Sequence, residues 1–383
     1  MQDLLLHVLQ PLQPHLQARR LHHRRDREEH LQGSALMSAV WEKAAFFLKL
    51  LRLRATGARA PLFVFFNVTN RCNARCSYCF GAYYERYASE RRRELTTGQI
   101  LSVIDGLSDM GTRRIGITGG EPLLREDIAE IIARIRERGM SCGLNTNGFL
   151  VPARLDDIRG VDNVTISLDG DRDAHDANRG KGSFDRVMAA VEAVRAAAIP
   201  LHLSTVVTAR NRDSLDFVME FARQRGVPVQ VSPLYERFWG EKDEGFPAKL
   251  DQGELRETIG RVMEYKRRGY PVFFSLRTYE KILAWPYGDR DRVVGEEPDF
   301  PHARCYMGRL LCTIDASGDV YPCAQLEGFR VKNAVEDGLR DAFDNIADHD
   351  CRACLWACYN EYNLLFALDP AVLWNTVRNA LTH

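Results

Sequence analysis

The chain has 383 residues, of which 45% are apolar and 27% are charged, as in an ordinary folded protein. Its 52 lysine and arginine residues equal its 52 aspartate and glutamate residues, so no overall basicity indicates a nucleic-acid partner. No signal peptide is evident, and no uninterrupted apolar stretch of about 18 residues predicts a membrane-spanning helix.

The cysteines are clustered along the chain. Three lie at positions 72, 76 and 79, six lie between 305 and 358, and Cys142 stands alone. Nothing in the sequence is typical of a secreted disulfide scaffold, so the clustering favours metal or iron–sulfur ligation in a reducing compartment. We therefore expect a cytoplasmic protein.

The amino-terminal residues differ in composition from the rest. Residues 1–36 are charge-dense and poor in core-forming side chains, which predicts a poorly ordered leader or a mobile helix, and Met37 is a candidate for the true start. Residues 37–60 are predicted to contain an amphipathic helix, because Ser38–Arg54 places basic residues among apolar ones at helical spacing. Such a helix can bind a membrane surface, or it can cover the open side or bottom of a barrel, which we favour.

From Pro61 onward, apolar strands alternate with helical patterns. The predicted strands are Leu62–Val68, Arg114–Thr118, Cys142–Thr146, Asn163–Leu168, Leu201–Val207 and Val227–Ser232. The predicted helices are Thr97–Met110, Asp127–Arg138, Ala153–Ile158, Phe184–Ala197, Ser214–Arg225 and Gly253–Arg268. Six βα units fall short of the eight that close a full barrel. The sequence therefore predicts an α/β fold, a partial (βα)6 TIM-like barrel over residues 61–235, with its chemistry at the carboxyl ends of the strands.

Cys72, Cys76 and Cys79 directly follow the first strand, with spacings of three and two residues. Three thiolates on one loop can bind three irons of a 4Fe-4S cluster and leave the fourth iron open to another ligand. Zinc is the main alternative, but structural zinc sites usually pair cysteines two residues apart and need a fourth ligand. The motif resembles the signature of the radical S-adenosylmethionine (radical SAM) enzymes. In those enzymes the open iron binds the amino and carboxylate groups of the methionine moiety.

The second strand runs into Gly119, Gly120 and Glu121. Paired glycines let a backbone approach a ligand closely. These residues resemble the family's glycine–glutamate motif, whose backbone carbonyls hold the methionine ammonium group. The resemblance implies that role for all three residues.

Polar residues also end the third and fourth strands. Asn145 is favoured as the site-facing amide, whereas Asn147 precedes Gly148 in a pattern typical of a turn. Ser167 and Asp169 share one face of their strand by alternation. The resemblance implies that the serine contacts the ribose or carboxylate of S-adenosylmethionine.

Three further contacts are implied by the resemblance. Arg179 would pair with the methionine carboxylate, which suits a guanidinium group. Thr205 lies where the family positions adenine or ribose contacts, and Tyr78 would pack beside the adenine. His175 is more typical of a loop hydrogen-bonding residue than of a catalyst, and no catalytic acid or base is assigned.

The carboxy-terminal part contains the second cysteine group. Residues 236–304 are predicted as a helical and irregular linker, and Thr313–Tyr321 as a β-hairpin that brings its flanking cysteines together. Zinc again is an alternative, since Cys351 and Cys354 form a two-residue-spaced pair. The segment over residues 305–383 resembles the family extension called SPASM, or its shorter Twitch form, which carries auxiliary 4Fe-4S clusters.

Counting thiolates limits the number of auxiliary clusters. Two complete clusters need eight thiolates and this segment has six, so one auxiliary cluster is predicted and a second is doubtful. Three ligands are predicted around the hairpin, namely Cys305, Cys312 and Cys323. The fourth is predicted to be Cys351, Cys354 or Cys358, of which the family order favours Cys358.

The resemblance also implies a reaction. A reduced cluster would cleave S-adenosylmethionine to methionine and a 5′-deoxyadenosyl radical, which abstracts hydrogen from a substrate. The auxiliary cluster would accept or relay an electron, or only stabilise the extension. An electron donor such as flavodoxin or ferredoxin is implied, and no nucleic-acid partner is expected.

The substrate class has two candidates. A small metabolite or lipid is favoured, because no peptide-recognition domain is evident before Pro61 and the basic segment Ser38–Arg54 suits a lipid. The alternative is maturation of a ribosomally made peptide. A non-enzymatic iron–sulfur or zinc sensor is disfavoured, because a sensor needs no pocket for S-adenosylmethionine.

Overall fold

The computed structural model describes residues 45–79, 93–235, 249–288, 290–323, 330–347 and 349–382. The predicted leader and residues 37–44 lie outside this part. The chain divides into two compact units, Met1–Ala58 and Arg59–His383. In the first unit, residues 45–56 form a helix that exposes Leu48 and Leu51. Contact of this segment with a membrane stays a prediction.

The second unit is built on a nine-stranded sheet with the order β10-β9-β8-β1-β2-β3-β4-β5-β6. Six parallel strands form its main part: β1 (Phe63–Thr69), β2 (Arg114–Gly119), β3 (Ser141–Thr146), β4 (Asn163–Ser167), β5 (Leu201–Val207) and β6 (Val229–Pro233). Each lies within two residues of its predicted position. Within the described strands, β6 and β10 are not paired with each other, so the sheet stays open, as expected of a partial barrel.

Helices connect these strands much as predicted. The helices of the barrel and the following segment are α1 (Thr97–Met110), α2 (Ile128–Glu137), α3 (Arg172–Arg179), α4 (Ser183–Ala196), α5 (Leu215–Arg225), α6 (Gln252–Arg267) and α7 (Leu276–Leu283). One prediction was wrong: the helix expected over Ala153–Ile158 is two single-turn 3-10 helices, Val151–Ala153 and Asp156–Ile158. Pro152 lies within the first of them and has no backbone N–H to donate to a helical hydrogen bond.

Alternation along the strands separates an outer core from an inner face. On β1, Val64 and Phe66 pack into the core formed with the surrounding helices. Phe63 and Phe65 point to the opposite face, where their rings lie 5.3 Å and 5.9 Å from the ring of Tyr362. The residues of neighbouring strands that pair in register with Phe63 and Phe65, and every second residue from them, therefore line the inside of the partial barrel.

The carboxy-terminal segment continues the same sheet. Strand β8 (Leu311–Ile314) pairs in parallel with β1, and β9 (Asp319–Tyr321) returns antiparallel to it, which confirms the predicted hairpin. The remaining elements are β7 (Arg292–Val294), β10 (Lys332–Asn333), β11 (Cys351–Cys354), a π-helix (Ala334–Gly338), α8 (Leu339–Asn345), α9 (Ala357–Phe366) and α10 (Pro370–Thr382). Among the helices of the described residues, none is both long and apolar enough to cross a bilayer.

Candidate functional site

Three thiols lie on the loop that follows β1. Cys72 is exposed, and Cys76 and Cys79 are half-buried. Burial raises the pKa of the Cys76 thiol to about 11 and also raises the pKa of Cys72. Such thiols become good ligands only when a metal replaces the proton. In the part of the chain that is described, no three Cys, His, Asp or Glu side chains already converge on one ion position.

The base of this cysteine loop is fixed to the barrel. Glu94 Oε1 accepts hydrogen bonds from Thr69 Oγ1 at 2.9 Å and from the Asn70 N–H at 2.8 Å. At the other end, the Ser77 N–H donates to the Asn178 carbonyl at 2.8 Å. The loop is therefore tied both to the strand that it leaves and to α3.

Gly119 and Gly120 hold the end of β2 against this loop. A Cβ on Gly119, whose φ is +133°, would lie 2.4 Å from the Thr69 carbonyl oxygen, and one on Gly120 would lie 2.2 Å from the Arg71 carbonyl oxygen. The Gly120 N–H donates to the Thr69 carbonyl and the Glu121 N–H to the Arg71 carbonyl, both at 2.8 Å. The sequence pattern indicated close approach to a ligand; the structure shows close approach to the cysteine loop.

We expect Gly120→Ala to lower the iron content of the barrel site, because the new methyl group would meet backbone that cannot rotate away. One 4Fe-4S cluster contains about four irons, and iron analysis of anaerobically reconstituted protein should show that most of them are lost. The control is Gly260→Ala within α6, where a Cβ meets nothing within 4 Å. That change should leave iron unchanged and stabilise the helix by about 1 kcal/mol. Full iron in Gly120→Ala would contradict the proposed packing role.

The Glu121 carboxyl joins the ends of β2 and β3. Its Oε1 accepts from Thr146 Oγ1 at 2.8 Å and from the Leu123 N–H at 3.1 Å, and its Oε2 accepts from the Asn147 N–H at 2.8 Å. Burial raises the pKa of this carboxyl. Its side chain is therefore fully used within the protein, and only its backbone is free to take the predicted cofactor-binding role.

Two asparagines follow at the end of β3. Asn145 is exposed, and its contact with a cofactor stays a prediction. Asn147 accepts the Phe149 N–H at 2.9 Å, as a turn residue does, but its Nδ2 also donates to Asn73 Oδ1 at 2.8 Å and lies 3.9 Å from Cys72 Sγ. Sequence reasoning missed this contact. The signal was available, because residues two apart on a strand share a face.

Tyr78, Asp169 and Arg179 form a buried network beside Cys76. Arg179 Nε donates to Asp169 Oδ2 at 2.6 Å and Arg179 Nη2 to the Tyr78 hydroxyl at 2.5 Å, while the Tyr78 hydroxyl donates to Asp169. Arg179 Nη1 lies 3.7 Å from Cys76 Sγ. Burial disfavours the guanidinium charge, but the Asp169 carboxylate outweighs it and holds the pKa of Arg179 well above its usual range. The predicted carboxylate-binding arginine is thus already paired with a protein carboxylate.

Ser167 and Thr205 lie on opposite faces of the sheet. Ser167 is half-buried at the end of β4, on the same face as Asp169. Thr205 shares its face with Leu203 and Val207, which pack into the outer core, and its hydroxyl donates to the Leu168 carbonyl at 2.7 Å. The prediction of a cofactor contact through the Thr205 side chain therefore needs correction, since that side chain is turned away from the barrel interior.

Helix α3 places unpartnered polar atoms near the cysteine loop. His175 Nδ1 accepts the Asp169 N–H at 3.2 Å, and burial lowers the pKa of His175 to about 4, so the ring is neutral at pH 7. Both side-chain polar atoms of Asn178 and the hydroxyl of Ser77 are buried without a hydrogen-bond partner in the described structure. Buried polar groups are rarely left unpaired. These atoms fit a site where a polar cofactor completes the bonding.

Four of the carboxy-terminal cysteines are linked through effects on their pKa values, and a fifth, Cys358, also raises the pKa of Cys354. The Cys305 thiol donates to Cys351, which with burial and the charges of Cys354 and Cys323 raises the pKa of Cys305 well above its usual range. The same hydrogen bond lowers the pKa of Cys351, against the effect of burial. Cys351 and Cys354 end the short strand β11, which pairs antiparallel with β7. Soft thiolates in this number match the ligand set of one 4Fe-4S cluster.

Cys312 has no such effect on the other thiols, whereas Cys358 acts on Cys354. Cys312 pairs in register with Val64 on β8 and is buried in the outer core, and burial alone raises the pKa of its thiol. Cys358 lies on α9, where burial raises the pKa of its thiol to about 12. The prediction of Cys312 as a ligand therefore needs correction, whereas Cys358 stays a predicted alternative to Cys351 and Cys354.

Aromatic rings connect this cysteine group with the inside of the barrel. Trp356 lies between Tyr235 and Tyr359, with ring centroids 4.4 Å and 4.9 Å away. Tyr359 in turn lies 6.3 Å from Phe65 on the inner face of β1. The backbone N–H of Trp356 donates to the Cys354 sulfur. The auxiliary cysteines therefore face the barrel interior through stacked rings.

Comparisons with known proteins agree with this arrangement. The profile described as the radical SAM superfamily matches residues 66–222. The chain is 30% identical to mycofactocin maturase MftC of Mycolicibacterium smegmatis, over 76% of this chain and 71% of that protein. It is 28% identical to AdoMet-dependent heme synthase of Methanosarcina barkeri, over 75% and 83% respectively.

The fold has solved counterparts. Streptococcus suis SuiB bound to its precursor peptide SuiA matches with a TM-score of 0.59 and 18% identity, over 76% of this chain and 67% of that chain. This likeness shows the fold alone. Together with the cysteine loop, the open parallel sheet and the identity to MftC over most of its length, these findings place the chain in the radical SAM superfamily.

Proposed function

We propose that Cys72, Cys76 and Cys79 hold the cluster that binds S-adenosylmethionine. The backbone of Gly119, Gly120 and Glu121, with Asn145, Ser167 and Arg179, would border the cofactor. Once bound there and reduced, the cluster would supply the electron for cleavage of S-adenosylmethionine, the reaction that is common to the family. The observation that carries this assignment is the contact of Cys76 with the buried Arg179–Asp169 pair.

The protein's own contribution in this proposal is orientation. Asp169 fixes the Arg179 guanidinium through Nε and leaves the Nη1 edge on the side of Cys76, where a carboxylate can be bound beside the cluster. Tyr78 closes the other side of the guanidinium. Asn178 and Ser77 would satisfy their unpartnered atoms on bound cofactor or on water that it orders.

Arg179→Ala is expected to weaken S-adenosylmethionine binding about 10- to 100-fold, because a charge-assisted hydrogen bond contributes about 1.5–3 kcal/mol. Iron content should stay the same. The matched control is Arg172→Ala on the same helix, whose exposed guanidinium pairs with Asp185 and touches none of the site residues named above. Equilibrium binding of the cofactor to both reconstituted variants decides the assignment. An unchanged affinity in Arg179→Ala would remove this residue from the site.

We further propose one auxiliary 4Fe-4S cluster held by Cys305, Cys323, Cys351 and Cys354. The hydrogen bond between Cys305 and Cys351 and the effects of Cys323 and Cys351 on the pKa of Cys354 support a common site, and Cys358, which also acts on Cys354, is the alternative ligand. Six thiolates remain too few for two complete clusters. Bound there, the cluster would supply a one-electron acceptor or donor next to the Trp356 stack.

For the substrate, we propose a precursor peptide rather than the small metabolite or lipid favoured by the sequence. Toward their carboxyl ends, the described strands β2 to β6 present neutral hydrogen-bonding side chains inward: Thr118, Asn145, Ser167, Ser204 and Ser232. Such a wall suits peptide amides better than an acyl chain or a polyanion. A relative 30% identical is named a maturase, and SuiB binds a precursor peptide. The named heme synthase keeps a small-molecule substrate as the second candidate.

Co-expression tests the substrate class. The enzyme is produced together with a short peptide encoded beside its gene, and the peptide mass is compared with that from cells carrying Cys76→Ala. A mass change only with the intact enzyme is expected. An unmodified peptide, together with 5′-deoxyadenosine formation stimulated by a tetrapyrrole instead, would favour the second candidate.

The electron that reduces the cluster would come from a flavodoxin or ferredoxin.

A further inference from the structure

A cavity of about 160 Å³ with a positive rim lies beside the cysteine loop. Four cationic side chains line it: Arg75 from the loop, Arg179 from α3, Lys181 from the turn before α4, and Arg186 from its first turn. Among the described residues, no aspartate or glutamate lines it. The chain as a whole carries no net charge, so this local excess does not follow from overall composition.

Three of these cations have no acidic partner among the described residues. Arg179 is paired with Asp169, but Arg75, Lys181 and Arg186 are exposed and make no ion pair there. The nearest acid in sequence, Asp185, is taken by Arg172. Like charges gathered without local compensation raise the potential at a surface and attract an anionic partner.

The geometry fits a broad partner better than a small anion. The amino end of α4 cannot cradle a phosphate or carboxylate, because Asp176 already accepts the Gly182 N–H at 2.7 Å and the Phe184 N–H at 2.8 Å. Arg186 lies over the Phe149 ring at 5.0 Å rather than pointing into a closed pocket. Long, exposed cations around an open depression are typical of a protein-docking surface.

The position of this surface relates it to electron entry. Arg75 stands between Cys72 and Cys76 in the sequence, and the Arg179 guanidinium reaches both the cavity and Cys76 Sγ, at 3.7 Å from the latter. A redox partner seated here would lie beside the loop that carries the cluster ligands. In each encounter, the reduced cofactor of the partner would transfer one electron to the cluster, and no atom or proton would be transferred.

Resting on the proposed function, we propose that Arg75, Lys181 and Arg186 form the docking surface for an acidic one-electron carrier protein of the flavodoxin or ferredoxin class. Charge attraction would hold the complex, so its affinity falls as salt screens exposed charges. Arg75 and Arg179 also border the cluster. Substitutions at Lys181 and Arg186 therefore test docking without changing a residue that borders the cluster.

Charge reversal tests the surface. Purified flavodoxin is titrated into reconstituted wild type, Lys181→Glu, Arg186→Glu and the double variant, and binding is measured by calorimetry at about 50 mM and about 300 mM salt. We expect each reversal to weaken binding about tenfold at low salt, and the double variant to lose most of the salt dependence. The control is Arg113→Glu, an equal charge change at the exposed amino end of β2, which should bind as wild type.

Two assays keep this proposal apart from the proposed function. With dithionite as reductant, Lys181→Glu and Arg186→Glu should form 5′-deoxyadenosine at the wild-type rate; with reduced flavodoxin, they should be slower about tenfold. Equal flavodoxin affinity in wild type and the double variant overturns the docking surface, whatever the activity. Absence of product from wild type with dithionite rejects the proposed function instead.

Discussion

Cys76→Ala is expected to abolish the formation of 5′-deoxyadenosine from S-adenosylmethionine and dithionite. Two remaining thiolates on the loop cannot hold a cluster that needs three protein ligands and an open iron. The side chain that contacts the Cys76 sulfur cannot replace it, since the Arg179 guanidinium carries no lone pair for a metal. Product is measured by chromatography after anaerobic incubation. Activity should fall below about one thousandth of wild type.

Cys142→Ala is the matched control for this result. Cys142 lies on β3 and packs into the outer core, away from both cysteine groups. Its replacement costs stability by about 1–2 kcal/mol for the lost side-chain volume, but the iron content and the product should remain. If Cys76→Ala kept forming 5′-deoxyadenosine, the cluster would have to be held elsewhere and the barrel assignment would fail.

The fold followed from the sequence because its signals are local. Parallel strands are buried on both faces and appear as continuous apolar runs, so all six core strands were predicted within two residues. The 3-10 turns after β3 and the parallel pairing of β8 with β1 were not predicted. The latter joins residues about 250 positions apart, and a short strand carries no local signal for its distant partner.

The site was predictable where motifs place residues on one loop, and less so where distant residues meet. The cysteine loop and the glycine pair were recognised from spacing, but their mutual backbone contact was not. The Arg179–Asp169 pair joins two residues that were assigned separate roles. Thr205 illustrates a simpler error, because alternation with Leu203 and Val207 already indicated an outward side chain.

The second cysteine group gives the sharpest test, because the structure and the sequence predict different ligands. Wild type is expected to contain about eight irons, for two clusters. Cys354→Ala should contain about four, since it removes one of the four proposed ligands, the one whose pKa is raised by several neighbouring thiols. Iron and acid-labile sulfide are measured on anaerobically purified protein, and zinc is measured in the same samples.

Cys312→Ala should keep about eight irons, although the sequence pattern made Cys312 a ligand. Strand alternation puts its sulfur beside Val64, between the sheet and the helices, whereas Thr313 on the same strand faces the other side. To ligate a cluster with Cys305, the thiol would have to cross the sheet, which the register of β8 with β1 prevents. About four irons in Cys312→Ala and about eight in Cys354→Ala would reverse the assignment, and stoichiometric zinc would exclude an iron–sulfur cluster at this site.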